Sequence, residues 1–124
     1  MTLNLNQQYS GIMRQTGTGV GCNPASNANG TPAQLQITQT ATAARLTRQT
    51  STDTCTLSGT YTQGGHFDHV EGVYTCAAGD SGTFSFFEMA VSWYELQART
   101  SLTSNSGCTW KGYFSGLLQP PPPQ

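Results

Sequence analysis

A glycine followed two positions later by a large apolar or aromatic residue recurs along this chain, as in Gly11-Ile12-Met13, Gly59-Thr60-Tyr61, Gly72-Val73-Tyr74, Gly82-Thr83-Phe84 and Gly112-Tyr113-Phe114. Side chains two apart on a β-strand point to one face. The interior of a closed sheet is crowded, so small and large side chains must alternate there for the space to fill. The repeat predicts a small β-barrel built from similar hairpins. Almost no segment has a helical period, and alternating stretches punctuated by Gly, Asn and Ser recur throughout, the pattern of an all-β chain.

Eight strands are expected near 7–15, 33–40, 43–49, 54–62, 66–76, 82–91, 93–101 and 108–117. The fold class is all-β: an eight-stranded antiparallel up-and-down meander barrel with disulfides at one end, spanning 1–118 as a single domain. Residues 17–32 are rich in Gly and Asn and predict a long irregular rim loop. Pro120 to Pro123 read as a stiff spacer within a Pro-rich tail, 119–124. Alternation places Tyr9, Met13, Leu35, Ile37, Leu46, Leu57, Tyr61, Val70, Tyr74, Phe84, Phe86, Leu96, Trp110 and Phe114 on the inner face. That set comes close to filling a barrel whose interior is only just wide enough for packing or one small ligand. Phe84-Ser85-Phe86-Phe87-Glu88-Met89-Ala90-Val91 breaks the alternation. Either a bulge near Phe86-Phe87 flips the register, or Phe87, Met89, Val91 and Trp93 form an outward interface patch.

Charged residues make up 9% of the chain, against about 25% in an average protein. The polarity comes from Thr, Ser, Gln and Asn, with Thr alone present 19 times and favouring strands. Five basic and six acidic residues give net charge −1, so no basic field for nucleic acid is expected. No stretch is long and apolar enough for a membrane-spanning helix. The outer faces of strands 2 to 4 carry Gln, Thr and Arg, which argues against a membrane barrel.

Four cysteines in a short, weakly charged chain point to an oxidising compartment, secreted or periplasmic. Met1-Thr2-Leu3-Asn4 has neither the basic start nor the apolar run of a secretory signal, so Met1 is expected to begin a chain from which the signal has been trimmed. Counting strand directions through the meander puts Cys22, Cys55, Cys76 and Cys108 at the same end. Cys55 and Cys76 sit on neighbouring strands, and Cys22 and Cys108 lie where strands 1 and 8 meet, so the pairs Cys55–Cys76 and Cys22–Cys108 are expected. No close Cys-x-x-Cys pairs are present to favour a zinc site, and no metal is expected.

Three short motifs invite chemistry. Gly79-Asp80-Ser81-Gly82 looks like the nucleophile motif of trypsin-like serine proteases. The likeness covers four residues, and that family needs two barrels, so the motif reads as the turn opening strand 6. His66-Phe67-Asp68-His69 puts His66 and Asp68 on one strand face and His69 on the other, and reads as a polar hairpin flank. Asn29-Gly30-Thr31 matches a glycosylation sequon. No catalytic residue and no cofactor are expected.

The Ser58-Gly59-Thr60-Tyr61 and Ser81-Gly82-Thr83-Phe84 echoes, with strand starts reading Cys-Thr-Leu-Ser-Gly and Cys-Thr-Trp-Lys-Gly, resemble small secreted bacterial barrels of the avidin/lipocalin-like type. The resemblance spans most of the chain and is architectural; it carries over no binding residue. The expected function is a non-catalytic extracytoplasmic binding module holding a small apolar or glycan-like ligand at the barrel mouth or disulfide-pinned rim, with Tyr61, Tyr74, Phe84 and Trp110 as contacts. The alternative is a structural or protein-interaction barrel, a homo-oligomer or protease-inhibitor-like, using the strand 6–7 surface.

Overall fold

A computed structural model describes residues 7–19, 26–51, 53–64, 67–92 and 95–119, with 26–29 described for their backbone course only. The eight strands are β1 (Gln8–Thr18), β2 (Ser26–Gln39), β3 (Ala43–Gln49), β4 (Thr54–Gly64), β5 (Phe67–Cys76), β6 (Ser81–Val91), β7 (Glu95–Ser104) and β8 (Thr109–Leu118). Each pairs antiparallel with the next, and β1 pairs with β8, so the up-and-down meander closes into a barrel. The closing ladder runs unbroken from Tyr9 opposite Leu118 to Thr18 opposite Thr109. No helix of the described chain is long and apolar enough to cross a membrane.

The expected inner face is the core. Leu35, Leu46, Leu57, Val70, Phe86, Leu96 and Phe114 are completely buried, and the remaining expected residues are buried with them except Trp110, which packs half-buried against the cluster. Burying a side chain of this size contributes about 1.5–3 kcal/mol. Phe84 and Phe86 meet edge-on at 5.7 Å between ring centres, the favoured geometry for an aromatic pair.

The recurrent glycines do a different job from the one that interior crowding suggests. A Cβ on Gly59 would run into the Glu71 carbonyl oxygen, and one on Gly72 into that of Ser58; the two glycines are directly opposed across β4 and β5. Across β1 and β8, Gly11 makes the same close approach to the Ser115 carbonyl oxygen and Gly112 to that of Arg14. The obstacle at these sites is the neighbouring backbone, not a large side chain. Strands this strongly coiled bring main chains together at glycine, which is how a small sheet bends enough to close.

Two expectations are corrected. Residues 26–32 are not part of an irregular loop: β2 begins at Ser26 and stays paired to β1, with Thr16 opposite Ser26 beyond a slip after Met13. Backbone hydrogen bonding is indifferent to the Gly/Asn composition there, and Gly30, at φ 85°, absorbs the slip. The second concerns the interface set on β6, where the bulge is the alternative that forms. The ladder to β7 slips between Phe87 and Ala90, and Glu88 sits at φ 50°. This bulge turns Met89 inward to complete burial, so Met89 is core and not part of an outward interface. Val91 packs partly buried against the core, while Phe87 stays on the outside. Cys22, His66, Trp93, the Asn29 side chain and the Pro120–Pro123 run lie outside the described residues.

Candidate functional site

At one end of the barrel Cys55 and Cys76, direct partners on β4 and β5, are joined by a disulfide. Cys108 is buried at the same end, just ahead of β8, and no described cysteine is a free thiol. The expected partner of Cys108, Cys22, falls outside the described residues. Around the disulfide lies a polar cap. The Asp80 carboxylate accepts hydrogen bonds from the Tyr74 hydroxyl at 2.9 Å and the Ser104 hydroxyl at 2.5 Å. The Asp53 carboxylate accepts from the backbone N–H of Thr54 and of Ala78, at 2.8 and 3.0 Å. Arg48 points into this end and donates to Cys55 Sγ at 3.0 Å and Met13 Sδ at 3.4 Å. Burial holds its guanidinium below the ordinary arginine range, opposed by the charges of Asp53 and Asp80. Burial and the Asp80 carboxylate together push the Tyr74 phenol up to about 12. Asp53, Cys55 and Cys76 come close enough to hold an ion, but both sulfurs are spent in the disulfide and offer no thiolate.

The opposite end is closed by one buried pair. Asp68 is 2% exposed and accepts a hydrogen bond from the Tyr61 hydroxyl. Desolvation, followed by that carboxylate, pushes the Tyr61 phenol up to about 12. Met89, directly opposite Asp68 across β5 and β6, packs beside it.

The third feature lies outside the barrel. The β6 bulge and the coiling of β7 and β8 leave an open groove of about 980 Å³ on the outer surface. The strand register lines up one row of side chains across it: Arg14 opposite Tyr113, Tyr113 opposite Arg99, and Arg99 opposite Phe87. The Arg14 guanidinium lies 5.7 Å from the Tyr113 ring centre and donates to its hydroxyl at 3.1 Å, a cation–π contact with a hydrogen bond added. Glu88, turned outward by the bulge, pairs with Arg99 at 2.7 Å. Lys111 and Ser101 flank the row, and Phe67 (49% exposed) closes one side. Close by, His69 Nε2 lies 2.9 Å from Ser85 Oγ. The Glu71 carboxylate approaches that same nitrogen at 3.7 Å, so the three do not form the relay in which an acid orients the far side of the ring.

The four expected ligand contacts are divided. Tyr74, Phe84 and Trp110 share the disulfide end, while Tyr61 belongs to the other. Tyr61 and Tyr74 are committed to carboxylates, and Phe84 is buried. Ser81 opens β6 and accepts a hydrogen bond from the Asn105 side chain at 3.1 Å, as a turn residue should. Sequence reasoning missed Asp68 as a buried acid, Arg48 as an inward cation and the Arg14–Tyr113–Arg99–Phe87 row. The broken alternation at Phe86-Phe87 was the only local sign of the groove. No family model, no curated protein and no solved structure matches the chain. The closed eight-stranded barrel is consistent with an avidin/lipocalin-like architecture, and the likeness ends there.

Proposed function

We propose that this protein is a non-catalytic extracytoplasmic binding module, a barrel of avidin/lipocalin-like design that takes its ligand on the outside. The observation that carries this reading is the groove of about 980 Å³ over β6–β8, within the range of ligand sites. Two further facts favour the outer face over the mouth. The interior is occupied by fully buried side chains such as Phe86, Phe114 and Leu57, and the polar groups at the disulfide end are largely bonded to one another. The Cys55–Cys76 disulfide supports an oxidising compartment.

A second reading rests on the same surface. Phe67 and Tyr113, 49% and 45% exposed, are the kind of aromatic anchors that protein interfaces use, so a protein partner or second copy would dock here too. Isotope-labelled protein titrated with pools of oligosaccharides and pools of peptides separates these outcomes. Amide shifts are expected at Ser85, Arg99, Ser101 and Lys111, with Asp80 and Ser104 unmoved. Shifts confined to Asp80, Ser104 and their neighbours would return the ligand to the mouth and overturn the outer-face reading. A sizing run that shows a stable dimer before any ligand is added would favour the second.

A further inference from the structure

Two of the chain's five basic residues, Arg99 and Lys111, line one groove, and a third, Arg14, adjoins it against Tyr113, so that arginines and aromatic rings alternate in the cross-strand row. In a chain this poor in charge the concentration is local and specific. Arg99 is balanced by Glu88 at 2.7 Å, which leaves the positive charge of Lys111 in excess in the groove, with Arg14 at its margin against Tyr113. Phe87 and Tyr113 stand one strand apart on either side of β7, about 10 Å by strand spacing, roughly the length of two pyranose rings. Between them lie hydroxyl and amide side chains, Ser101 and Gln97, in place of aliphatic pockets.

We propose that this groove binds an extended acidic glycan, a chain of uronate-bearing sugars, an inference that rests on the outer-face reading above and names its ligand class. Sugar rings present flat C–H faces that stack on aromatic rings, and the carboxylates meet cations whose planar fork suits them. The groove is open, which suits a chain passing through and not a small molecule enclosed. A peptide has no comparable hold: the barrel is closed and offers no edge strand for backbone addition. Nucleic acid is disfavoured by the acidic balance of the whole chain and by Glu88 and Glu71 beside the groove.

Calorimetric titration with tetragalacturonate, with cellotetraose as the neutral control and a short oligothymidylate as the rival polyanion, tests this. Tetragalacturonate should bind, weaken as salt is raised, and exceed both controls by about tenfold or more. Tyr113→Ala and Lys111→Gln, both at exposed positions, should each weaken it several-fold while the thermal midpoint stays put. Absent binding, equal binding of cellotetraose, or tighter binding of oligothymidylate overturns the glycan assignment. Amide shifts in the groove with another ligand would then leave the outer-face reading standing. Galacturonate binding that neither substitution weakens, with shifts at the disulfide end, overturns both.

Discussion

The two ends of the barrel are closed by different chemistry. At the disulfide end, β4 and β5 are stapled covalently, and the polar groups around the staple are shared among several partners: Asp80 has two hydroxyl donors and Asp53 two backbone donors. At the far end nothing is stapled among the described residues. Closure there depends on Met89 being turned inward by a bulge and on the buried Tyr61 hydroxyl, which bonds Asp68 and also meets Gln39. The first end spreads its bonds over a staple, two carboxylates and several donors; the second gathers them on one buried phenol and one buried acid. Damage to the far end should therefore cost more per atom removed, even though the other end holds the covalent bond.

The sharpest break in the comparison is Met89→Lys. The new ammonium would be buried in the core, and pairing with Asp68 would compete with the Tyr61 hydroxyl for that carboxylate, a change costing about 3–5 kcal/mol. The variant is expected to lose cooperative unfolding by near-ultraviolet circular dichroism. A fully folded variant would mean that the bulge is not fixed. Next comes the staple itself. Replacing Cys55 and Cys76 together by Ala frees a loop with a sequence separation of 21, costing about 3 kcal/mol in the chain-entropy model. Urea titration should show a lower midpoint with the fold retained, because the ladder between β4 and β5 remains.

The matched pair Tyr61→Phe and Tyr74→Phe measures the contrast directly. Removing the Tyr61 hydroxyl leaves the Asp68 carboxylate buried without its donor, costing about 2–3 kcal/mol, whereas Asp80 keeps Ser104 and water, so Tyr74→Phe should cost about 0.5–1 kcal/mol. Equal losses would show the ends to be equivalent. Both phenols also make stability depend on alkali. Each is pushed up to about 12 from an ordinary 10.0, so the folded state keeps its protons longer than the unfolded chain. Stability is then complete below about pH 10 and falls as pH rises toward 12. Thermal melts across that window should show the decline, shallower in Tyr61→Phe than in the parent.

Strand number, meander order, the Cys55–Cys76 pairing and nearly the whole inner face followed from local pattern alone. Alternation with period two fixes which side chains go inward, and counting strand directions fixes which ends meet. The same locality explains what was not legible. One residue inserted at Phe87-Glu88 moves Met89 to the other face, and no propensity of those residues announces it; the break in alternation showed only that something had to give. The extension of β2 back to Ser26 depends on hydrogen bonds to β1, which composition does not record. The groove is the furthest from sequence of all. Arg14 and Tyr113, 99 positions apart, become neighbours only because the barrel closes, and Arg99 stands between Tyr113 and Phe87 only because β7 pairs in one register with both strands beside it. Sequence determined what the regularly alternating strands bury; the bulge in β6 and the register between distant strands, which only the closed sheet decides, determined where Met89 goes and what the surface offers.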